Sequence, residues 1–156
     1  LAIELFQYMS QTKMLLVPYK GGAPAMQALL GGEVQVNFGT SSTALPHIRA
    51  GKLRALAVTG AKRSQAAPEL PTIGESGVKG YQHSSWVGLL APAKTPKPII
   101  DKLNTEIKKA IDSPELKKRL EEFEPWTMSP QAMAARITSD YEKYGRLMKL
   151  VGSKLD

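Results

Sequence analysis

Apolar residues recur at helical spacing from the first position. Leu1, Leu5 and Met9 share one face with Ala2 and Phe6 beside them, so Leu1 to Ser10 reads as the end of an amphipathic helix. Met14 to Tyr19 is a short apolar run of strand character that Gly21-Gly22 interrupts. Pro24 suits the first turn of a following helix, where a missing N–H costs nothing. That helix carries Met26, Leu29 and Leu30, and Gly31-Gly32 marks its end. Val34, Val36 and Phe38 then alternate as a strand does. A helix with Leu45 and Ile48 stops at Gly51, and Leu53 to Thr59 reads as a strand that is apolar on both faces. Strand, helix, strand, helix, strand is the order of a parallel α/β sheet with flanking helices.

The pattern changes near residue 82. Residues 60 to 80 are rich in Gly, Pro, Ser and polar residues, with one expected helical turn at Thr72 to Ser76. Tyr81 to Ala91 is strand-like. Prolines 92, 96 and 98 then introduce a helix expected from Pro98 to Ile111. Ser113-Pro114-Glu115 and Ser129-Pro130 are N-cap signals with Pro at the first helical position. They predict a short helix to about Phe123 and a long one to about Val151. The second half therefore offers one strand and three helices, too little sheet for a domain of its own.

Composition narrows the function classes. The chain has 156 residues, 42% hydrophobic and 22% charged, the balance of a soluble globular protein. No apolar run approaches the roughly 20 residues that span a bilayer. There is no cysteine, which excludes disulfides and thiolate metal sites. The chain opens inside a helical pattern without an initiator Met or signal peptide, which reads as the mark of a removed N-terminal part or a fragment. The net charge is +7. Lys102, Lys108, Lys109, Lys117, Lys118 and Arg119 are interleaved with Asp101, Glu106, Asp112, Glu115, Glu121 and Glu122, which is a solvated mixed-sign helix surface. Trp86 and Trp126 are not set among basic residues, so no base-stacking platform is expected, and no nucleic-acid partner.

Catalytic and metal signatures are missing. His47 and His83 have no Cys or carboxylate at ligand spacing. There is no phosphate-binding loop or dinucleotide fingerprint. Gly74-Glu75-Ser76-Gly77 misses the nucleophile-elbow spacing. Glu121, Glu122 and Glu124 form a charge run at a helix end. The chain reads as a non-enzyme that needs no cofactor.

Two strand-to-helix turns remain. In Phe38-Gly39-Thr40-Ser41-Ser42-Thr43-Ala44-Leu45-Pro46, Pro46 lacks an N–H, which an unkinked helix tolerates only in its first turn. That places the N-cap near Thr43, with Ser42 as the neighbouring option. Backbone N–H groups and the hydroxyls of Ser41, Ser42 and Thr43 would then converge at a positive helix end, a site for a carboxylate or phosphate. Simple capping explains the same residues equally well. Tyr19-Lys20-Gly21-Gly22-Ala23 has the same architecture, and its Gly pair permits close backbone approach. An ordinary loop is the alternative there.

These residues also resemble a known family. The runs Val17-Pro18-Tyr19-Lys20-Gly21-Gly22-Ala23-Pro24-Ala25, Leu29-Leu30-Gly31-Gly32 and Ala44-Leu45-Pro46-His47-Ile48-Arg49-Ala50-Gly51-Lys52-Leu53-Arg54-Ala55-Leu56-Ala57-Val58-Thr59 are similar to the Bug family. These are extracytoplasmic solute receptors of tripartite tricarboxylate transporters. The likeness continues through Ala61-Lys62-Arg63-Ser64, Pro71-Thr72, Ser85-Trp86, Gly88-Leu89-Leu90-Ala91-Pro92 and Lys154-Leu155. It implies a type II periplasmic binding protein fold, two α/β lobes around a cleft, truncated here at the N-terminus. Residues 1–81 would be the remainder of the second ligand-binding lobe. Residues 82–156 would cross the hinge and return to the first lobe. The implied function is periplasmic capture of a small carboxylate for the membrane subunits of a transporter, with Tyr19, Lys20, Gly21, Gly22, Thr40, Ser41, Ser42 and Thr43 at the ligand. Family members often carry Asp where Gly39 stands. Its replacement here argues against an amino-acid ligand.

A sensor module feeding a signalling partner is the runner-up reading. An enzyme on an α/β scaffold is a third, and it lacks a visible nucleophile–base pair. A chain with one side of a two-lobed cleft and few strands under its last helices is expected to self-associate, as a dimer or by exchange of the C-terminal helices.

Overall fold

The computed structural model describes residues 1–120 and 123–152. Glu121 and Glu122 of the acidic run, and the Lys154-Leu155 ending, lie outside the described residues. The chain divides into two compact units, Leu1–Ser84 and Ser85–Asp156.

The first unit carries α1 (Ala2–Ser10), α2 (Gly22–Leu30) and α3 (Ser41–Arg49). Glycines end the last two as expected. After α2 the backbone turns left-handed at Gly32, φ 77°, and the Glu33 N–H donates to the Ala28 carbonyl at 2.9 Å. After α3, Gly51 takes φ 68° and the Lys52 N–H donates to the His47 carbonyl at 2.9 Å. Both are Schellman endings, which satisfy carbonyls that the helix leaves over.

The core of this unit gathers Leu5, Met26, Ala28, Leu45, Ala67, Ile73 and Tyr81. The Phe6 ring lies 5.7 Å from Phe38 and 6.1 Å from Tyr81. The Tyr81 hydroxyl donates to the Ala2 carbonyl at 3.0 Å, so α1 is tied to the end of the unit. Residues 60 to 80 are ordered by a reciprocal pair. The Thr72 N–H donates to Glu75 Oε2 at 2.7 Å, and the Glu75 N–H donates to Thr72 Oγ1 at 3.0 Å. This is a capping box closing a lone turn. Arg63 Nε adds a bond to Glu75 Oε2 at 3.0 Å.

The second unit carries α4 (Lys97–Asp112), α5 (Pro114–Arg119) and α6 (Pro130–Val151). Both Ser-Pro starts behave as read. Ser113 Oγ accepts from the Leu116 N–H at 3.3 Å, and Ser129 Oγ accepts from the Ala132 N–H at 3.1 Å. Helix α4 packs on α5 and α6, and Asn104 Nδ2 donates to the Met128 carbonyl at 2.9 Å. Helix α5 ends at Arg119, short of the expected Phe123.

The sheet is the main departure from expectation. Met14–Tyr19, Val34–Phe38, Leu53–Thr59 and Tyr81–Ala91 form no named strand among the described residues. One parallel bridge joins Val58 to Thr72. The physical reason is that alternation marks which residues could lie in a sheet, whereas a ladder needs a neighbour for each N–H and C=O. Among the described residues these segments build no continuous ladder; a single bond, from the His83 N–H to the Thr59 carbonyl at 2.9 Å, links the third to the fourth. Leu15 and Leu56, which a sheet would cover, stand 92% and 67% exposed.

Candidate functional site

The two turns singled out from sequence open α2 and α3, and the fold brings them together. A Cβ built on Gly22 would stand 4.0 Å from Thr43 Cγ2. The two helix N-termini are therefore neighbours, and both present backbone N–H groups and the positive end of a helix dipole. Met26 of α2, buried, supports the second turn from beneath. Its Cε lies 3.6 Å from where a Gly39 side chain would begin, and Asn37 Nδ2 lies 3.4 Å from the same point. Gly39 thus leaves room that its neighbours already fill.

In the first turn, Gly21 is the N-cap of α2 with φ 105°, a conformation suited to glycine. Its N–H donates to the Tyr19 carbonyl at 2.9 Å. Tyr19 is half-buried and Lys20 is exposed, so the lysine offers a solvated positive charge just ahead of the helix.

The second turn corrects the expected helix start. The N-cap is Thr40, and α3 begins at Ser41 rather than near Thr43. Pro46 lies inside the helix, beyond its first turn. There the helix forgoes the N–H bond that a residue 46 with an amide proton would make to the Ser42 carbonyl. The opening is tightened: the N–H groups of Thr43 and Ala44 both donate to the Thr40 carbonyl at 3.1 Å.

The hydroxyls engage one another and do not cap. Thr40 Oγ1 lies 3.0 Å from Thr43 Oγ1 and 3.3 Å from Ser42 Oγ. The Thr43 hydroxyl donates to the Thr40 carbonyl at 2.9 Å, which commits its only proton. Thr40 and Ser42 therefore hold the hydroxyl protons that can turn toward an anion. Thr40 is exposed and Ser42 half-buried, so both are accessible. No acidic residue stands among Tyr19 to Gly22 or Thr40 to Thr43.

An open cavity of about 400 Å³ lies elsewhere in the first unit, lined by residues that include Thr72, Glu75, Lys79 and Tyr81. None of the turn residues lines it. Glu75 is held below the usual carboxylate range by the Thr72 backbone bond and then by Arg63. Burial pushes the Tyr81 phenol up to about 12. Sequence reading missed the Thr72–Glu75 pair, although the T-x-x-E spacing at 72 to 75 was there to be read. It also missed Asn37 beside Gly39, for which the sequence offers no signal. Among the described residues no cluster of three metal-ligating side chains occurs, and no helix is long and apolar enough to cross a membrane.

The family model described as "Tripartite tricarboxylate transporter family receptor" matches residues 1–153. Protein BugT of Bordetella pertussis is 34% identical over 160 residues, covering 99% of this chain and 48% of its own length. R. palustris Rpa4515, solved with adipate, superposes with a TM-score of 0.89 at 36% identity, over 97% of this chain and 51% of that one. MatC of Rhodopseudomonas palustris, solved with bound malate, superposes with a TM-score of 0.75 at 29% identity, over 96% of this chain and 52% of that one. The chain spans about half the length of each of these three relatives.

Proposed function

Since the chain belongs to the tripartite tricarboxylate transporter receptor family, we propose that it supplies one side of a periplasmic binding site for a small carboxylate. It hands that ligand to the membrane subunits of a transporter and performs no reaction on it. The supporting observation is the neighbouring N-termini of α2 and α3, where a Cβ on Gly22 would meet Thr43 Cγ2 at 4.0 Å, in a chain that superposes on an adipate-bound protein. In this reading a carboxylate of the ligand accepts from N–H groups at both helix ends and from the Thr40 and Ser42 hydroxyls. Such charge-assisted bonds contribute about 1–3 kcal/mol each. Each helix end adds roughly 0.3–1 kcal/mol for an anion. Lys20 and the net charge of +7 draw anions toward the surface.

The ligand lacks an ammonium group in this reading, because neither turn carries a carboxylate to pair with one. Residues 1–81 form part of the second lobe of the receptor, and residues 82–156 cross the hinge and return to the first lobe.

The test is a thermal-shift screen of a purified receptor that contains these residues. Ligand binding to the folded state raises the melting temperature by mass action. Adipate and malate represent the carboxylates; glutamate, glucose and a nucleotide are the comparison. A shift among the carboxylates alone is the expected result. A shift confined to the neutral sugar would end the proposal.

A further inference from the structure

One polar side chain beside the second turn has no task in the fold. Asn37 is half-buried, and among the described residues no hydrogen bond joins its carboxamide to the rest of the chain. No sealed side-chain N or O atom among those residues lacks a partner, so the unpaired amide is one that solvent reaches. It lies along Gly39. Asn37 Nδ2 stands 3.4 Å, and its Cγ 3.7 Å, from where a Gly39 side chain would begin. Met26 Cε closes on the same point from α2 at 3.6 Å. Gly22 and Met26 are four positions apart on one face of α2, with Thr43 beside the first and Gly39 beside the second. Gly39 and the amide next to it therefore lie one helical turn, about 5.4 Å, along α2 from the contact that joins the two helix N-termini.

We propose that Asn37 is a further ligand-contacting residue and sets specificity. Its amide N–H donates to an oxygen of the bound carboxylate, from the space that a side chain at position 39 would otherwise fill. The inference rests on the carboxylate reading of the two turns and adds a residue to that site. An amide drawn partly out of water gains from a partner, and the fold itself supplies none here. A bond from an amide to an anionic oxygen is of the stronger, charge-assisted kind. The amide is also neutral, so it meets an anion without the repulsion that a carboxylate in its place would bring. Its carbonyl oxygen can accept from a ligand hydroxyl at the same time. Bare Gly39 keeps this open: a Cβ there would already touch both Asn37 Nδ2 and Met26 Cε, and a longer side chain would push the amide aside.

Calorimetric titration of adipate and malate into a purified receptor that contains these residues tests it, beside the melting temperature of the ligand-free protein. Asn37→Ala should weaken binding of whichever diacid the parent takes by roughly tenfold or more. Asn37→Asp should weaken it further, since it sets a like charge against the ligand. The ligand-free melting temperature of Asn37→Ala should match the parent, because the fold loses no hydrogen bond. If Asn37→Ala does not fold, Asn37→Leu keeps the size and shape and removes only the polar atoms. Parent-like affinity in these variants, or a loss of affinity matched by a lower ligand-free melting temperature, would overturn the proposal and leave the carboxylate reading standing. A parent receptor that binds neither diacid would refute the carboxylate reading, and this inference with it.

Discussion

At the scale of single residues, the proton inventory of one turn decides what each hydroxyl can do. Thr43 gives its proton to the Thr40 carbonyl at 2.9 Å, so it shapes the turn. Thr40 can redirect its proton to a ligand. Replacing Thr40 by Val is therefore expected to weaken carboxylate binding by about 1–3 kcal/mol with little loss of stability. Replacing Thr43 by Val should lower the melting temperature as well as the affinity. Calorimetric titration beside thermal melts separates the two, and equal effects on affinity alone would refute the division of roles. The sequence showed these hydroxyls but not their hierarchy, because hydrogen-bond direction depends on where α3 starts. Pro46 pointed to a start near Thr43, and the observed start is three residues earlier, at the Thr40 cap. A second residue-scale expectation concerns Tyr81, whose phenol burial raises from 10.0 to about 12. The fold favours the neutral phenol. Its contribution is fully present below pH 10, where the unfolded chain begins to ionise, and is lost as pH rises toward 12. Melts between pH 9 and 12 should show a slope that is absent in Tyr81→Phe, a variant that also gives up the bond to the Ala2 carbonyl.

At the scale of elements, the helices were legible and the strands were not. Ser113-Pro114 and Ser129-Pro130 encode starts within the chain itself, since a hydroxyl reaches the N–H three residues on. Gly31-Gly32 and Gly51 encode stops in the same local way. Each of these signals is satisfied by atoms close in sequence. The extended segments obey a different rule. Val34, Val36 and Phe38 alternate correctly, yet their ladder partners must come from elsewhere, and no local pattern supplies them. Side-chain contacts across long separations were equally hidden: Trp86 and Asp140 are 54 positions apart. The local character of the helix starts gives a quantitative expectation. Replacing Ser129 by Ala, which removes the acceptor for the Ala132 N–H, should cost about 1 kcal/mol. Urea unfolding followed by helix ellipticity reads this directly. Ser129→Asp should recover it, since Asp caps equally well and its charge suits the helix N-terminus. Failure of Asp to recover stability would show that the Ser129 bond is incidental to α6.

At the scale of the whole molecule, the distribution of apolar surface argues for association. Among the described residues of the second unit, only Leu147 and Asp140 are buried. Val87, Leu89 and Leu90 stand at 77% exposure or more, with Trp126 at 52% and Tyr141 at 83%. Leu15 and Leu56 of the first unit are similarly bare. Apolar surface of this kind gains roughly 25 cal/mol per Å² when covered, and its exposure in quantity drives contact between copies. The net charge of +7 opposes contact. That repulsion acts over a Debye length of about 8 Å at physiological salt and about 3 Å at 1 M, whereas apolar burial is insensitive to screening. The apolar term should therefore win, and by more as salt rises. Light scattering on the purified chain is expected to show a dimer or larger species whose share increases from low to high salt. Replacing Val87 and Leu89 together by Lys and Glu should shift that balance toward monomer, because both residues sit on the bare side of the extended segment. A monomer at all salt concentrations that also binds a carboxylate tightly would contradict this expectation, and would mean that the site is complete on one copy of the chain.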